Sequence, residues 1–386
     1  MARSIYLDNA ATTPVAGEVA VVVQEAMLGT FGNPSSPHTM GLEAERLVGE
    51  AREILARALG SKNHEVYFTS GGTEADNLAI RGVLAAQVRK GRHVVASAVE
   101  HAAVLETLRH LARMELCEYT LVPPDGKGIV APEAVARALR ADTVLVSVML
   151  VNNEVGTVQP IPEIVRRVKE QDPRVVCHTD AVQALGNVPC RVEELGVDLL
   201  SMSGHKLGGP KGVGSLFCRE GTRLISQITG GGQEEGLRSG TENVPGIAGF
   251  GRAVALAMEN MEARTAKLRQ LQRHLLSRLE TIPDSHIHGD PLSNAPHIIN
   301  VGFPGVRGEV LVHALASEGV YVSTGSACSS KKAIHSHVLE TMGVPRAVLE
   351  GSIRISLGAD NTLEEMNIVA ELIGQAVMEL RRYQRQ

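Results

Sequence analysis

The sequence predicts an α/β protein, with a large domain built on a mostly parallel sheet and a smaller α+β domain after it. Three observations carry this. Short, continuous apolar runs occur at 65–69 (EVYFT), 93–97 (HVVAS), 143–150 (TVLVSVML), 174–179 (RVVCHT), 198–202 (DLLSM) and 213–218 (VGSLFC). Helical patterns at 73–90, 102–113, 131–140 and 162–171 separate several of them. Strands apolar along their whole length that alternate with helices belong to a parallel sheet covered on both faces. Third, the pattern changes after the glycine-rich stretch 229–240 (TGGGQEEGLRSG).

In chain order, the first clear helix is 42–59, where Leu47, Ala51, Ile54, Leu55, Ala58 and Leu59 fall at helical spacing and Gly60 closes the segment. The strand–helix alternation then runs to residue 218. A long helical segment, about 246–281, follows the glycine-rich stretch. Beyond it come a strand at 297–303, a helix at 308–317, strands at 319–324 and 352–357, and a helix at 362–382. The expected division gives residues 15–260 to the large domain, and 1–14 with 261–386 to the small one. A sheet of this kind binds ligands at the loops beyond the carboxyl ends of its strands.

The 386 residues are enough to bury a large core without disulfides or metals. Lys plus Arg number 38 against 43 Asp plus Glu, a net charge of -5, which argues against a general nucleic-acid or anionic-membrane surface. The N-terminus MARSIYLDNAATTP carries no apolar run of the signal-peptide kind, and the longest apolar stretch, 143–151, is too short to span a bilayer. The five cysteines (Cys117, Cys177, Cys190, Cys218, Cys328) are scattered, with no CxxC spacing. That pattern predicts a reducing, cytoplasmic setting with no disulfide framework and no zinc site. The pairs His286/His288 and His335/His337 have no further ligand at useful spacing, so no metal is expected.

Four elements carry chemistry, each at a strand end. Ser70-Gly71-Gly72-Thr73 lets a backbone and a helix N-terminus approach an anion, and fits a plain tight turn as well. Asp180 ends a strand, where a carboxylate pairs with a protonated ring nitrogen or simply caps the next helix; Gln183 follows three residues on. Ser203-Gly204-His205-Lys206 follows another strand. A partly buried lysine among cations is a nucleophile toward aldehydes, and the alternative is a surface lysine at a turn. Cys328 sits among small residues with Lys331 and Lys332 behind it, a setting that raises thiolate character. Cys117, Cys177 and Cys218 lie in apolar strand patterns and Cys190 follows a proline, so these four read as buried small hydrophobes.

Together these elements resemble the cysteine desulfurases, a branch of the class V aminotransferase group. The resemblance runs nearly end to end, through YLDNAATTP (6–14), FGNPSSPH (31–38), FTSGGTEADNLAI (68–80), VEHAAVL (99–105), VNNEVGTVQP (151–160), HTDAVQALG (178–186), SMSGHKLGGPKGVG (201–214), RSGTENV (238–244), STGSACSS (323–330) and IRISLG (353–358). It implies the aspartate-aminotransferase-like fold (fold type I) and pyridoxal 5'-phosphate held as a Schiff base on Lys206. Asp180 would pair with the pyridine nitrogen, His101 would stack on the ring and carry protons, and Gln183 would face the ring hydroxyl. Gly72, Thr73, Ser203, Gly204 and His205 would hold the phosphate, and Thr241 would reach the phosphate of a second subunit in a homodimer. Asn152 and Arg354 would bind the substrate carboxylate, with Asn33 assisting; Asn152 also counts among the cofactor contacts.

The implied reaction takes L-cysteine to L-alanine, with Lys206 removing the α-proton and Cys328 taking the sulfur as a persulfide. The implied partners are a sulfur-acceptor protein, either an iron–sulfur scaffold or a tRNA-thiolation enzyme, with no direct nucleic-acid or membrane contact. A selenocysteine lyase or a class V transaminase would share most of these residues.

Overall fold

The computed structural model describes residues 4–325 and 335–383. Its large sheet has seven strands: β2 (Val66–Thr69), β3 (His93–Ser97), β4 (Glu118–Val122), β5 (Thr143–Ser147), β6 (Val176–Asp180), β7 (Leu199–Ser203) and β8 (Gly214–Cys218). Their spatial order is β2-β8-β7-β6-β5-β3-β4. The pairs from β4 through β7 are parallel, whereas β8 runs antiparallel to both β7 and β2. Two reversals leave β2 pointing the same way as β7.

Alternation along each strand splits the core in two. Val95, Val146, Cys177, Leu200 and Phe217 face one side, against helices Thr39–Leu59, Ile161–Gln171 and Val244–Glu259. Val94, Ala96, Leu145, Val176, Leu199 and Leu216 face the other, against helices Gly72–Ala86 and Ala102–Arg113. Every residue of β3, β5, β6, β7 and β8 is buried, as the unbroken apolar runs require. Helix Thr39–Leu59 shows the local logic: Ala44, Val48, Ala51, Leu55 and Leu59 make its buried stripe, and Gly60 ends it at φ +68°.

The long helical segment divides at Asn260 into Val244–Glu259 and Met261–Leu279. The second half packs with helices Gly308–Ser317 and Leu363–Tyr383 around β9 (His286–Ile287), β10 (Ile298–Gly302) and β12 (Ser352–Ser356). The N-terminal strand β1 (Ile5–Tyr6) joins this same cluster, pairing in parallel with β11 (Val320–Tyr321). The chain therefore enters beside this cluster and crosses to the large sheet. No helix among the described residues is long and apolar enough to cross a membrane.

Candidate active site

The carboxyl ends of β2, β3, β5, β6 and β7 open on one side of the sheet, and the residues just beyond them line a cavity of about 360 Å³. It takes Gly72 and Thr73 from beyond β2, His101 from beyond β3, Met149 and Asn153 from beyond β5, and Asp180 and Gln183 from β6 and its turn. Ser203, His205 and Lys206 come from β7 and the turn after it, Arg354 from β12, and Ala10 and Ala11 from the N-terminal loop. Cavity residues thus come from the large sheet, from β12 and from the N-terminal loop.

Lys206 ends the 3-10 turn Gly204–Lys206, and its Nζ donates to the carbonyls of Ala10 and Ala11 at 2.5 and 2.7 Å. Gln183 Nε2 donates to the same Ala10 carbonyl at 2.9 Å. The N-terminal loop is fixed from behind, since Ser356 Oγ accepts from Ala10 N and the Ser356 carbonyl accepts from Asn9 Nδ2. Asp180 is buried, and its Oδ1 accepts from Val182 N at 2.8 Å. Burial pushes its carboxyl up, while His101, that backbone donor and Lys206 pull it down. His101 caps helix Ala102–Arg113 through Nδ1, which accepts from Ala103 N at 3.1 Å, so the ring orientation is set by a helix end.

One end of the cavity suits an anion. Gly71 offers no side-chain cap to helix Gly72–Ala86, leaving first-turn N–H groups for a ligand. A Cβ at Gly72 would come within 2.6 Å of Val182 Cγ2, so only glycine lets this helix end approach the β6 turn. His205 stands there as a neutral ring, because burial first and then Lys206 and Lys211 lower it to about 4. Its Nδ1 lies 3.2 Å from Thr12 Oγ1; with Nδ1 accepting, Nε2 carries the ring hydrogen.

Arg354, in mid-strand and buried, donates from Nη1 to the Asn153 carbonyl at 2.9 Å and from Nη2 to Asp8 Oδ1 at 2.8 Å. Its Nε is buried and has no hydrogen-bond partner. The fork expected to grip the substrate carboxylate also holds Asp8.

Gly72, Thr73, His101, Asp180, Gln183, Ser203, His205, Lys206 and Arg354 therefore converge. Other expected residues do not. Asn152 is fully buried and spends its amide on the turn: Nδ2 donates to the Val99 carbonyl, and Oδ1 accepts from Glu154 N and Val155 N. Its neighbour Asn153 faces the cavity instead, one residue further along VNNE. Gly204 lines no part of it; its N–H goes to the Val213 carbonyl, and a Cβ there would crowd Pro210 O and Phe250. Asn33 is exposed and accepts from Ser35 N, and Thr241 is exposed. Cys328, Lys331 and Lys332 lie outside the described residues. The other four cysteines are buried, with thiols that burial pushes up to about 11 (Cys117) or 12 (Cys177, Cys190, Cys218).

Sequence reading missed Ala10, Ala11, Asp76, Met149 and Asn153, and also Glu100 behind them. Glu100 Oε1 accepts from Ser97 Oγ and from Met149 N, tying the β3 and β5 ends together, and burial raises its carboxyl to about 8. The unfolded carboxyl loses its proton near 4.5 and the folded one near 8, so folding retains a proton in between and stability falls as pH rises through that window. Glu100→Gln keeps the Oε1 acceptor without the ionisation. It should gain on the order of 3 kcal/mol over the parent at about pH 8 and flatten the alkaline decline. Denaturant melts at several pH values check this; parallel pH profiles for the two proteins would contradict it.

A neutral-ring and helix-end anion seat, an amine held at the cavity wall and a buried carboxylate at its floor together define a pyridoxal phosphate site. The donor set fits that cofactor: Thr73, Ser203 and His205 would hold its phosphate, Asp180 would meet its ring nitrogen, and Lys206 would reach its aldehyde carbon. The chain belongs to the class V aminotransferase family, whose sequence model matches residues 5–369. It is 44% identical over 379 residues to a cysteine desulfurase IscS of Methanosarcina thermophila, covering 98% of this chain and 93% of that one. A cysteine desulfurase IscS of Dictyoglomus turgidum is 45% identical over 382 residues, covering 99% and 96%. Among solved structures, a NifS-like protein superposes with a TM-score of 0.92 at 38% identity, covering 97% of this chain and all of that one.

Proposed function

We propose that this chain is a pyridoxal-phosphate-dependent cysteine desulfurase that converts L-cysteine to L-alanine and holds the sulfur as a persulfide on Cys328. The observation that carries this reading is the convergence of Lys206, Asp180, His101, Gln183 and Arg354 on one cavity. The cysteine desulfurases among its relatives support it. When bound, pyridoxal phosphate supplies a sink for the electron pair left on the substrate α-carbon.

The chain's own groups do the rest. Arg354 and Asn153 hold the amino-acid end, and Lys206 Nζ takes the α-proton. Asp180 would hold a negative charge for the ring nitrogen, and His101 would cover the ring. The Cys328 thiolate then attacks the sulfur of L-cysteine. An S–S bond forms, the Cβ–S bond breaks, the electron pair left at Cβ takes a proton, and the proton held on Lys206 returns to the α-carbon to give alanine.

Two nucleophiles are needed because the carbon chemistry is anchored at Lys206 while the sulfur must leave. The described residues on either side of 326–334 support delivery to this cavity. Ser336 Oγ donates to Glu154, and a Cβ at Gly325 (φ +83°) would lie 3.2 Å from Glu154 Oε2. Both flanks thus meet the side chain next to Asn153. A homodimer in which Thr241 meets the partner's phosphate extends the proposal, supported by exposed Val21, Met27, Leu28 and Phe31 on and after helix Gly17–Leu28. The persulfide would pass to an acceptor protein of iron–sulfur assembly or tRNA thiolation.

Cys328→Ala tests the assignment. It should keep the bound-cofactor absorbance and lose roughly 10³-fold in sulfide release from L-cysteine with thiol reductant present. Normal turnover by that variant would sink the role of Cys328.

A further inference from the structure

Behind Asp180 lies a second carboxyl that the proposed reaction does not use. Asp76 is in the second turn of helix Gly72–Ala86, 1% exposed, on the cavity wall, and its Oδ1 has no hydrogen-bond partner. An oxygen of Asp76, an oxygen of Asp180 and a ring nitrogen of His101 all lie within 4.8 Å of one another. Two buried carboxylates this close do not both ionise, because each raises the cost of the other's charge.

The surroundings decide which one keeps the proton. Asp180 has His101 and Lys206 beside it, both of which favour its charged form, and accepts the Val182 N–H. Asp76 faces Asp180, Glu100, Ser201 and His178. His178 Nε2 is 3.6 Å from Asp76 Oδ1, yet burial lowers that ring to about 3, so it brings no positive charge. Its two nitrogens are already engaged by Ser147 Oγ and Ser201 Oγ, each at 2.9 Å. Burial, and next the nearby Asp180, push the Asp76 carboxyl well up, and only Ser201 pulls it down.

We propose that Asp76 is a positioning residue that holds the single proton of an Asp76–Asp180 carboxyl pair, so that Asp180 alone presents negative charge to the cofactor ring nitrogen. The second half of that statement rests on the reading of Asp180 as the ring-nitrogen partner. The arrangement explains why a helix whose other buried positions are apolar or glycine carries an acid at 76. A neutral acid there fills the space behind Asp180 without competing for the cofactor's positive charge. A second anion would split that charge between two sites.

Infrared difference spectroscopy reads the proton directly and works on protein without cofactor as well as with it. The parent at neutral pH should show a protonated-carboxyl C=O stretch that shifts in D2O. Glu100, which burial also keeps protonated at neutral pH, gives a band of its own, so the comparison is made on Glu100→Gln: there the band should remain, and it should be missing from the Glu100→Gln, Asp76→Asn double variant. In Asp180→Asn the band should titrate at lower pH, because the like charge that holds the proton on Asp76 is gone. On the loaded protein, Asp76→Asn should keep the cofactor absorption spectrum and a cofactor Kd within about threefold of the parent, since a neutral amide replaces a neutral acid. Asp180→Asn should change both.

A band that persists in the Glu100→Gln, Asp76→Asn double variant, or no band in Glu100→Gln alone, overturns the proposal. So does identical titration in Asp180→Asn, or an Asp76→Asn spectrum that moves as Asp180→Asn does. If Asp180→Asn leaves the spectrum unchanged, the ring-nitrogen reading falls and the cofactor half of the proposal with it, while the infrared band still decides where the proton sits.

Discussion

Lys206→Ala is expected to leave pyridoxal phosphate without a covalent anchor and to lower turnover of L-cysteine by roughly 10⁴-fold or more. The structure gives a reason beyond the loss of a nucleophile. Nζ is aimed by the Ala10 and Ala11 carbonyls, and those carbonyls are fixed through Ser356 and Gln183. A small molecule amine added to the mutant would meet neither constraint, so chemical rescue should stay far below the parent rate. Borohydride treatment followed by mass measurement provides the check. A stable cofactor adduct on the parent and none on Lys206→Ala is the expected pair of results; an adduct on the variant would place the anchor elsewhere.

Arg354→Gln should have the second largest effect, and it should act on two properties at once. For substrate, it removes the guanidinium charge that would face the carboxylate; a loss of about 3 kcal/mol raises KM roughly 10²-fold. For the fold, it removes the partner of Asp8 and the donor to Asn153 O from a buried mid-strand position. Stability should fall by about 2–3 kcal/mol, less than for a fully buried pair because Asp8 keeps some contact with solvent. Steady-state kinetics on several amino acids separate the two. A KM unchanged for L-cysteine, in a variant that is merely less stable, would leave Arg354 as a strut between β12 and the N-terminal loop.

Much of the fold was legible because its strands are buried on both faces and so declare themselves as unbroken apolar runs. Six such runs appear as β2, β3, β5, β6, β7 and β8, and the sheet is mostly parallel as expected. Strand β4 (EYTLV) was missed. It is one of the two edge strands, and unlike β2 four of its five residues are only partly buried, so its sequence is correspondingly mixed. The helix expected at about 246–281 carries apolar residues on both sides of Asn260, so periodicity alone gave no reason to divide it there. The pairing of β1 with β11 joins residues far apart in the chain, a contact no local pattern encodes.

The site divides in the same way. Residues at strand ends and glycine turns were found because position there has a chemical meaning. Asn152 and Asn153 could not be told apart by type, and only the turn geometry shows that the first is spent on Val99, Glu154 and Val155. Asp76 did leave a trace. It lies four residues after Gly72 and three or four before Ala79 and Ile80, so it is an acid on the apolar face of its helix.

The most direct test of the central claim is the product balance of the purified, cofactor-loaded protein with L-cysteine and a thiol reductant. Sulfur removal predicts L-alanine and sulfide in equal amounts, and, without the reductant, one additional sulfur per chain located on Cys328 by peptide mass measurement. A keto acid in place of alanine, or alanine with no sulfur on Cys328, would contradict the account.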